Sequence, residues 1–386
     1  MSGLLPVLLE AEAGPLVAGS LVAIEGLFAL LLPPLVGPWS DRRGQRLPFI
    51  AGAALIAAAA LLLMAVGGPL WLLALWIAVF QTGYFAYLTV YFAVYPDVVD
   101  AEEAGRAQGA QGAWRAVGLG AAFVAGPALL GLWRPAPFLL ACAVVLVVTP
   151  IFGAKVAGRL REAREREADA GPSDAAPTGY RALRELVREH PSVGWFVGAN
   201  ALWETALSAL RAFAVLFVVQ GLGRQESFAS MVLAVVVVGS IVAAPLSGWL
   251  ADRLGRRRVI AVCVWVYGLG AVVPALTQSV AILPVVLLVA LAAVALMTLP
   301  YALLMGLLPE SAHGAGAALF GVSRGIGLLA GPLLAGLAIW ALEPVFEGTN
   351  GYAALFLVVA VAVLATLPLL RKMGPAEGSA GAASAG

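Results

Sequence analysis

Long apolar runs separated by short polar segments make up almost the whole chain. Eleven of these runs reach the length of about twenty residues that an α-helix needs to cross a bilayer. They cover residues 16–38, 48–66, 70–95, 107–132, 136–155, 192–220, 227–250, 258–278, 282–307, 313–341 and 350–370. The pattern therefore predicts an all-α integral membrane protein.

Composition narrows the possible functions. Hydrophobic residues make up 62% of the chain and charged residues 12%, whereas soluble domains average about half and about a quarter. The net charge of +1 gives no reason to expect a nucleic-acid partner. Two cysteines and two histidines are too few for a disulfide framework or a zinc site. The sequence has no phosphate-binding loop or nucleotide fingerprint, so we expect neither an enzyme nor a cofactor.

Two of the polar connections share one pattern of residues. The first copy contains Gly37, Asp41, Arg42, Gly44 and Arg46, and the second contains Gly248, Asp252, Arg253, Gly255 and Arg256. Glycines allow two helix ends to approach closely, and an aspartate can accept hydrogen bonds from a helix N-terminus. Arginines are common in the cytoplasmic hairpins of any multi-spanning protein. Two copies about half a chain apart nevertheless indicate an internal repeat, and we expect both to act in gating.

The repeated connection resembles the cytoplasmic loop signature of the major facilitator superfamily, which lies between the second and third helices of each half. The second copy matches the signature closely, whereas the first departs from it at Trp39 and Ser40. The resemblance implies the major facilitator fold, with two six-helix halves related by a parallel repeat. It also implies a secondary transporter that works by alternating access and takes its energy from an ion gradient.

Within the superfamily, the first copy is most similar to the branch of plant sucrose transporters and glycoside-pentoside-hexuronide cation symporters. The similarity lies in the Leu-Leu-Pro-Pro run before Gly37 and the Leu-Pro-Phe-Ile run after Arg46. It implies import of a sugar with a proton or a sodium ion. Gly118, Gly126 and Gly131 partly resemble the fifth-helix motif of proton-driven drug antiporters, so drug or metabolite efflux is the alternative. A sensor or scaffold that does not transport is a third reading.

The resemblance also predicts how the chain is organised. We expect an N-terminal half at 1–155, a cytoplasmic central loop at 156–191, a C-terminal half at 192–370 and a disordered cytoplasmic tail at 371–386. Eleven runs are one short of twelve helices. The offset between the two signature aspartates indicates that about twenty residues are missing at the front, so that Leu4–Leu9 would be the outer end of a truncated first helix.

The distribution of basic residues predicts an orientation. Most of the 23 lysines and arginines lie on the same side as the signature loops. The positive-inside bias therefore places the central loop and the C-terminus in the cytoplasm. The predicted location is the cell membrane, which the chain crosses several times. We expect a monomer whose partners are the lipid bilayer and a small-molecule solute.

One predicted helix carries a polar stripe. Asn200, Glu204, Ser208 and Arg211 recur at intervals of four, four and three residues, which places them on one face of the run 192–220. The resemblance places this helix, the seventh of the family count, at the central cavity, so the stripe is predicted to bind substrate. Glu204 and Arg211 lie about 10 Å apart along the axis, and we expect no direct pairing without a third group. Packing of the stripe against a neighbouring helix is the alternative.

Aromatic side chains supply a second group of substrate-binding candidates. Gln81, Tyr84, Tyr87 and Tyr91 lie at helical spacing in the run 70–95, and Tyr301 lies in the run 282–307. Tyrosine combines a flat apolar ring with a hydroxyl group, which suits a sugar ring or an amphipathic drug. Packing within the core is an equally good reading of these tyrosines.

Charged residues at membrane depth are the candidates for ion coupling. They are Glu25, Glu204, Arg115 and Arg324, the two arginines occupying matching positions of a second repeat. A charged group inside the bilayer is costly and usually faces the interior of the protein, and a carboxyl group can avoid the charge by binding a proton. The sequence therefore predicts proton coupling. Arginines outnumber glutamates, which leaves room for an anionic solute, and the arginines also suit a role in capping helix carbonyls.

Overall fold

The computed structural model describes residues 5–43, 46–98, 129–170, 180–277, 283–308 and 313–373, together with isolated positions between 114 and 126. The first helices are α1 (Leu5–Arg43), α2 (Arg46–Val66), α3 (Leu70–Val98), α4 (Ala136–Ala170), α5 (Tyr180–Glu189), α6 (Pro191–Leu216) and α7 (Glu226–Leu254). The remaining helices are α8 (Arg256–Leu276), α9 (Leu283–Met305), α10 (His313–Ala341), α11 (Ala354–Leu364) and α12 (Thr366–Lys372). A π-helical turn, Phe217–Gly221, extends α6.

The all-α prediction is confirmed. In the described part of the chain, nine segments are long and apolar enough to cross a membrane, and each coincides with one of the predicted runs. Helix α7 covers the predicted run 227–250. The run 107–132 lies largely outside the described residues. Apolar runs of this length fold as helices in a bilayer because a helix satisfies all of its backbone hydrogen bonds internally.

Helix α1 contains one break. Gly14 has a φ of +76° inside the range Leu5–Arg43, so the residues before and after it form two helical segments. Glycine adopts this left-handed conformation without the steric penalty that a Cβ would bring. The apolar span that begins at this break is Gly14–Val36.

The chain divides into two compact units, and each is described by itself. Unit I comprises the chain up to Leu27 and the chain from Arg181 onward, and unit II comprises Phe28–Tyr180. One boundary therefore lies within α1 and the other at the start of α5.

Unit II has an apolar core between α2 and its two neighbours, α3 and α4. Ala58 and Leu61 of α2 pack with Cys142 of α4, and these three residues are buried. Alanines allow α2 to approach α3 closely, since a Cβ added at Gly83 would lie only 2.6 Å from the backbone nitrogen of Ala57. The Arg159 guanidinium of α4 also donates a hydrogen bond to the Val98 carbonyl at the end of α3 (2.9 Å).

Unit I is organised around the contact between α6 and α10, the most extensive helix pair in the described chain. Gly331 of α10 allows this approach, because an added Cβ would collide with Ser208 and with the Thr205 carbonyl of α6. The segment of α1 up to Leu27 lies against α10 in the same way, since a Cβ at Gly26 would collide with the Leu329 backbone. Helix α10 therefore has close backbone neighbours in both α6 and α1.

A buried hydrogen bond connects α6 to α12. The Trp203 indole Nε1 donates to the Thr366 hydroxyl of α12 at 3.0 Å, and both side chains are fully buried. Phe196 and Phe213 are also fully buried on α6. The Phe196 ring stacks on Phe320 of α10, with the ring centroids 6.5 Å apart, and Phe213 lies close to Gly19 of α1.

Candidate functional site

Glu204 lies at the centre of the candidate site, inside unit I. Its carboxylate Oε2 is 3.9 Å from Arg211 Nη2 on the same helix, and its Oε1 is 3.7 Å from Arg324 Nε on α10. The expectation that Glu204 and Arg211 are too far apart to pair directly was wrong. Residues seven apart lie two turns apart on nearly the same helix face, and the long arginine side chain covers the separation along the axis.

A glycine explains how Glu204 reaches Arg324. Gly327 follows Arg324 by three residues on α10, and a Cβ added at Gly327 would collide with the Glu204 side chain. Residues three apart on a helix are surface neighbours, so the stretch of α10 beside Arg324 lies directly against the Cβ and the backbone of Glu204. The glycine therefore brings the two helices together at the level of Glu204 and Arg324.

The two uncharged members of the polar stripe bind α10 directly. Asn200 Nδ2 donates to the Ser323 hydroxyl (2.8 Å), and the Ser208 hydroxyl donates to the Gly327 carbonyl (2.8 Å). Asn200 is 1% exposed and Ser208 3% exposed. The stripe thus divides into two groups, because its amide and hydroxyl bind α10 while Glu204 forms ion pairs with Arg211 and Arg324.

Glu25 lies close to this cluster. It lines a small cavity with Ser208, Arg211, Leu328 and three further side chains. The cavity volume is about 10 Å³, close to the smallest volume that accommodates one water molecule. In the described chain, Glu25 has no hydrogen bond or ion pair. The structure therefore places both predicted ion-coupling carboxylates beside Arg211.

Tyr267 of α8 is a buried polar residue that the sequence analysis did not single out. The side chain is fully buried, its hydroxyl has no hydrogen-bond partner among the described residues, and it lies within electrostatic reach of Arg211. The available signal was a tyrosine inside an otherwise apolar run. The sequence alone does not pair it with Arg211, because the two residues lie on different helices.

The aromatic candidates of α3 belong to unit II. Tyr87 and Tyr91 stack with their ring centroids 6.0 Å apart, and Tyr91 contacts Phe152 of α4 at 5.5 Å. Tyr87 also packs against the apolar cluster that contains Val90. Tyr84 is 36% exposed, and Gln81 is half-buried. These contacts are those of core packing, and substrate binding by these four residues stays a prediction.

Tyr301, the aromatic candidate of α9, belongs to unit I. Its ring meets the ring of Phe320 on α10 edge-on at 5.3 Å. Tyr301 is 38% exposed, so part of the ring remains open. No contact in the described chain joins it to Glu204.

The second signature copy forms the connection between α7 and α8. Gly255, with a φ of +89°, is the single residue between the helices. Gly248 is half-buried, and Asp252 is exposed at the end of α7. The Arg253 guanidinium lies 4.1 Å from the centroid of the Trp249 ring.

The arginines that close the second copy bind helix carbonyls of unit I. Arg256 Nη1 donates to the Ala302 carbonyl of α9 (3.1 Å). Arg257 Nη2 donates to the carbonyls of Leu370 (2.6 Å) and Arg371 (3.1 Å) at the end of α12. These carbonyls belong to the last turns of their helices, where the usual intrahelical donors run out. A role for the two signature copies in gating stays a prediction.

The first signature copy is described only in part. Gly37, Asp41 and Arg42 belong to α1, whose end at Arg43 is followed by Gly44, and Arg46 begins α2. Gly44 and the predicted ion-coupling residue Arg115 lie outside the described residues, as do the side chains of Asp41 and Arg42.

Comparison with known proteins identifies the family. The model of the MFS_1 like family, a branch of the major facilitator superfamily (MFS), matches residues 8–347. The chain belongs to the MFS_1 like family. No curated protein sequence matches the chain. The chain is thus a multi-pass membrane protein of a transporter family and not an enzyme, with a lipid environment and a small solute as its partners.

Solved structures have the same fold. A bacterial homologue of the human lysosomal transporter Spinster, in an inward-facing and occupied conformation, has a TM-score of 0.73 at 15% identity. The match covers 97% of this chain and 92% of that chain. The nucleoside transporter NupG has a TM-score of 0.70 at 12% identity, with 96% of this chain and 93% of that chain covered. These similarities place the MFS_1 like chain in the major facilitator fold.

Proposed function

We propose that this MFS_1 like protein is a proton-coupled importer of a small polar organic solute, with a sugar or sugar-like compound as the favoured substrate. The observation that carries the proposal is the position of Glu204, a carboxylate inside a membrane-spanning helix with arginines of two helices beside it. Ionisable groups at membrane depth are costly and mark substrate and ion pathways. Proton binding by Glu204 would release both arginines from their common counter-charge.

Glu25 is the second carboxylate of the proposed coupling mechanism. It shares a water-sized cavity with Arg211 and Ser208, and Arg211 also pairs with Glu204. A change in the proton occupancy of either carboxylate would therefore change the charge beside the same guanidinium. We propose that Arg211 moves towards the carboxylate that remains ionised, which links proton binding to movement of a side chain in the site.

The favoured substrate class rests on the likeness of the first signature copy to the sucrose-transporter and glycoside-pentoside-hexuronide branch. We propose that the protein lies in the cell membrane with the central loop in the cytoplasm, because most basic residues lie on that side. The ion gradient, which we propose to be that of protons, is the only energy source the mechanism requires.

The test measures external pH while a solute is added to lightly buffered, de-energised cells that contain the protein. The panel comprises neutral sugars and, because one protein of similar fold transports nucleosides, a set of nucleosides. Inward proton symport makes the medium more alkaline when a transported solute is added. We expect the Glu204→Gln substitution to abolish this signal, because glutamine cannot bind and release a proton.

Glu343→Gln is the matched control, since Glu343 is exposed outside the membrane-spanning segments. This variant should give the wild-type signal at equal expression. Solute uptake without a pH change, or a full signal in Glu204→Gln, would contradict the proposal. Acidification on addition of a solute would instead favour efflux by proton antiport.

A further inference from the structure

The Glu204 cluster contains more hydrogen-bond donors than the described part of the chain satisfies. Two guanidinium groups carry ten N–H bonds between them. Both approach the carboxylate only to 3.7–3.9 Å, which is beyond hydrogen-bond distance. Arg324 Nε is buried without a hydrogen-bond acceptor. Within the described chain, neither arginine donates a hydrogen bond to any other group.

These donors are more accessible than the carboxylate between them. The Arg211 and Arg324 side chains are 28% and 30% exposed, whereas the Glu204 side chain is 11% exposed. A ligand that supplies acceptor oxygens would thus satisfy guanidinium groups on two helices at once.

The charges around Glu204 limit which ligand fits. Two arginines and two glutamates give no net charge when all are ionised. Of the other helices packed on α6, α11 has no titratable residue and α9 has only Tyr301, whereas α12 has charged residues only in its last turn and α7 only in its first and last turns, at Glu226, Asp252 and Arg253. A proton on Glu204 therefore leaves a site with one excess positive charge.

We infer that Arg211 and Arg324 bind the carboxylate group of an organic anion, and that a proton on Glu204 accompanies it. The inference rests on the proposed proton-coupled transport and narrows its substrate to a solute that carries a carboxylate. Guanidinium groups bind carboxylates through paired, charge-assisted hydrogen bonds. The Glu204 carboxylate lies where the ligand's carboxylate would bind, and protonation of Glu204 frees the arginines for the ligand.

The first experiment measures ligand-induced shifts in the melting temperature of the purified full chain in detergent. The probes are two pairs that differ by a carboxylate: gluconate with glucitol, and benzoate with benzyl alcohol. We expect at least one anion to stabilise the protein while its neutral counterpart does not. Neutral probes that bind as tightly as their anions would overturn the inference, and so would the absence of a shift with either anion.

The second experiment repeats the titration at pH 5.5 and pH 8, where the probe carboxylates are ionised. Wild-type protein should bind the anion at least tenfold more tightly at pH 5.5 than at pH 8, because the inferred binding takes up one proton. Glu204→Gln should bind the anion at both pH values with no more than a twofold difference. If the wild type binds the anion equally tightly at both pH values, the proton linkage is overturned.

Arginine variants complete the test. Arg324→Gln should weaken anion binding at least tenfold, and Arg324→Lys should weaken it less. Arg224→Gln is the matched control, because Arg224 is exposed in the connection between α6 and α7. Unchanged binding in Arg324→Gln would count against the site. The melting temperature without ligand shows whether each variant folds. If Arg324→Gln does not fold, the pH dependence of anion binding in Glu204→Gln still tests the inference.

The two proposals can fail separately. Proton-coupled uptake of a neutral sugar, with no binding of either anion, would overturn the anion site and leave the proposed transport standing. Gluconate binding that requires Arg324, in a protein that moves no protons with any solute, would support the site and contradict the proposed transport.

Discussion

The α6–α10 contact of unit I and the α2–α3 contact of unit II are both close helix pairs that depend on very small residues. In unit II, Gly83 lies against Ala53 and Ala57, and the surrounding core is apolar. In unit I, Gly327 and Gly331 bring the helices equally close, yet the interface encloses a carboxylate and a guanidinium. Close packing needs no charges, as unit II shows. The charges of unit I therefore require a functional explanation.

The comparison predicts that stability and coupling can be separated. The largest effect on stability should come from Leu61→Ala in unit II, because Leu61 is 1% exposed within its cluster. We expect a loss of about 3 kcal/mol in the free energy of unfolding from the cavity that forms. Thermal unfolding in detergent measures the loss. Leu62→Ala is the control, because Leu62 is 46% exposed.

The fraction of Leu61→Ala protein that folds should transport protons and solute in the wild-type ratio. Purified protein in vesicles allows both fluxes to be measured together. A changed ratio would show that coupling depends on the apolar core of unit II as well as on the charged cluster of unit I.

The next largest effect should come from Gly331→Ala in unit I. The new Cβ would collide with Ser208 and lie 2.8 Å from the Ala209 nitrogen, so we expect a loss of about 2 kcal/mol from overpacking. Gly321→Ala is the matched control on the same helix, since no atom lies within 4 Å of its added Cβ. This control should be neutral or slightly stabilising, because alanine favours the helix. Equal melting temperatures for the two variants would argue against the close contact.

A smaller effect is expected from Ser323→Ala. The change removes the acceptor of the Asn200 amide, which is almost fully buried. An unsatisfied buried donor costs about 1–2 kcal/mol, and the loss should appear as a lower melting temperature. Ser323→Thr keeps a hydroxyl group and is the control. If Ser323→Ala has the same melting temperature as the wild type, the hydrogen bond between Asn200 and Ser323 adds nothing to stability.

The smallest effect should come from Tyr87→Phe in unit II. The ring contacts of Tyr87 are those of a packed core, and phenylalanine preserves them. We expect stability within about 0.5 kcal/mol of the wild type and unchanged uptake. A large rise in KM with normal stability would instead support the predicted contact between the Tyr87 hydroxyl and the substrate.

Much of the fold follows from the sequence because membrane helices are specified by local features. Run length and polarity locate the spans, and helical periodicity places Asn200, Glu204, Ser208 and Arg211 on one face. Local features do not specify which helices meet. The burial of the Tyr267 hydroxyl and the hydrogen bonds from Arg257 to the carbonyls of α12 depend on contacts between segments distant in sequence.

The mistaken expectation about Glu204 and Arg211 has a different cause. Axial rise measures the separation of backbone positions, whereas ion pairs form between the ends of side chains. The two residues lie two turns apart on one face, and the flexible arginine brings Nη2 to 3.9 Å from the carboxylate. Side-chain reach has to be added to backbone spacing before a pair is excluded.

The position of α10, with glycines towards both α6 and α1, has a consequence for how the protein tolerates mutation. Gly327 and Gly331 meet α6, and Gly336 meets Pro15 of α1. A saturation-mutagenesis map of α10 should therefore show two opposite stripes of intolerance instead of the single stripe of an ordinary surface helix. Larger residues would be accepted between the stripes, at positions such as Leu333, Leu334 and Leu337, which are exposed.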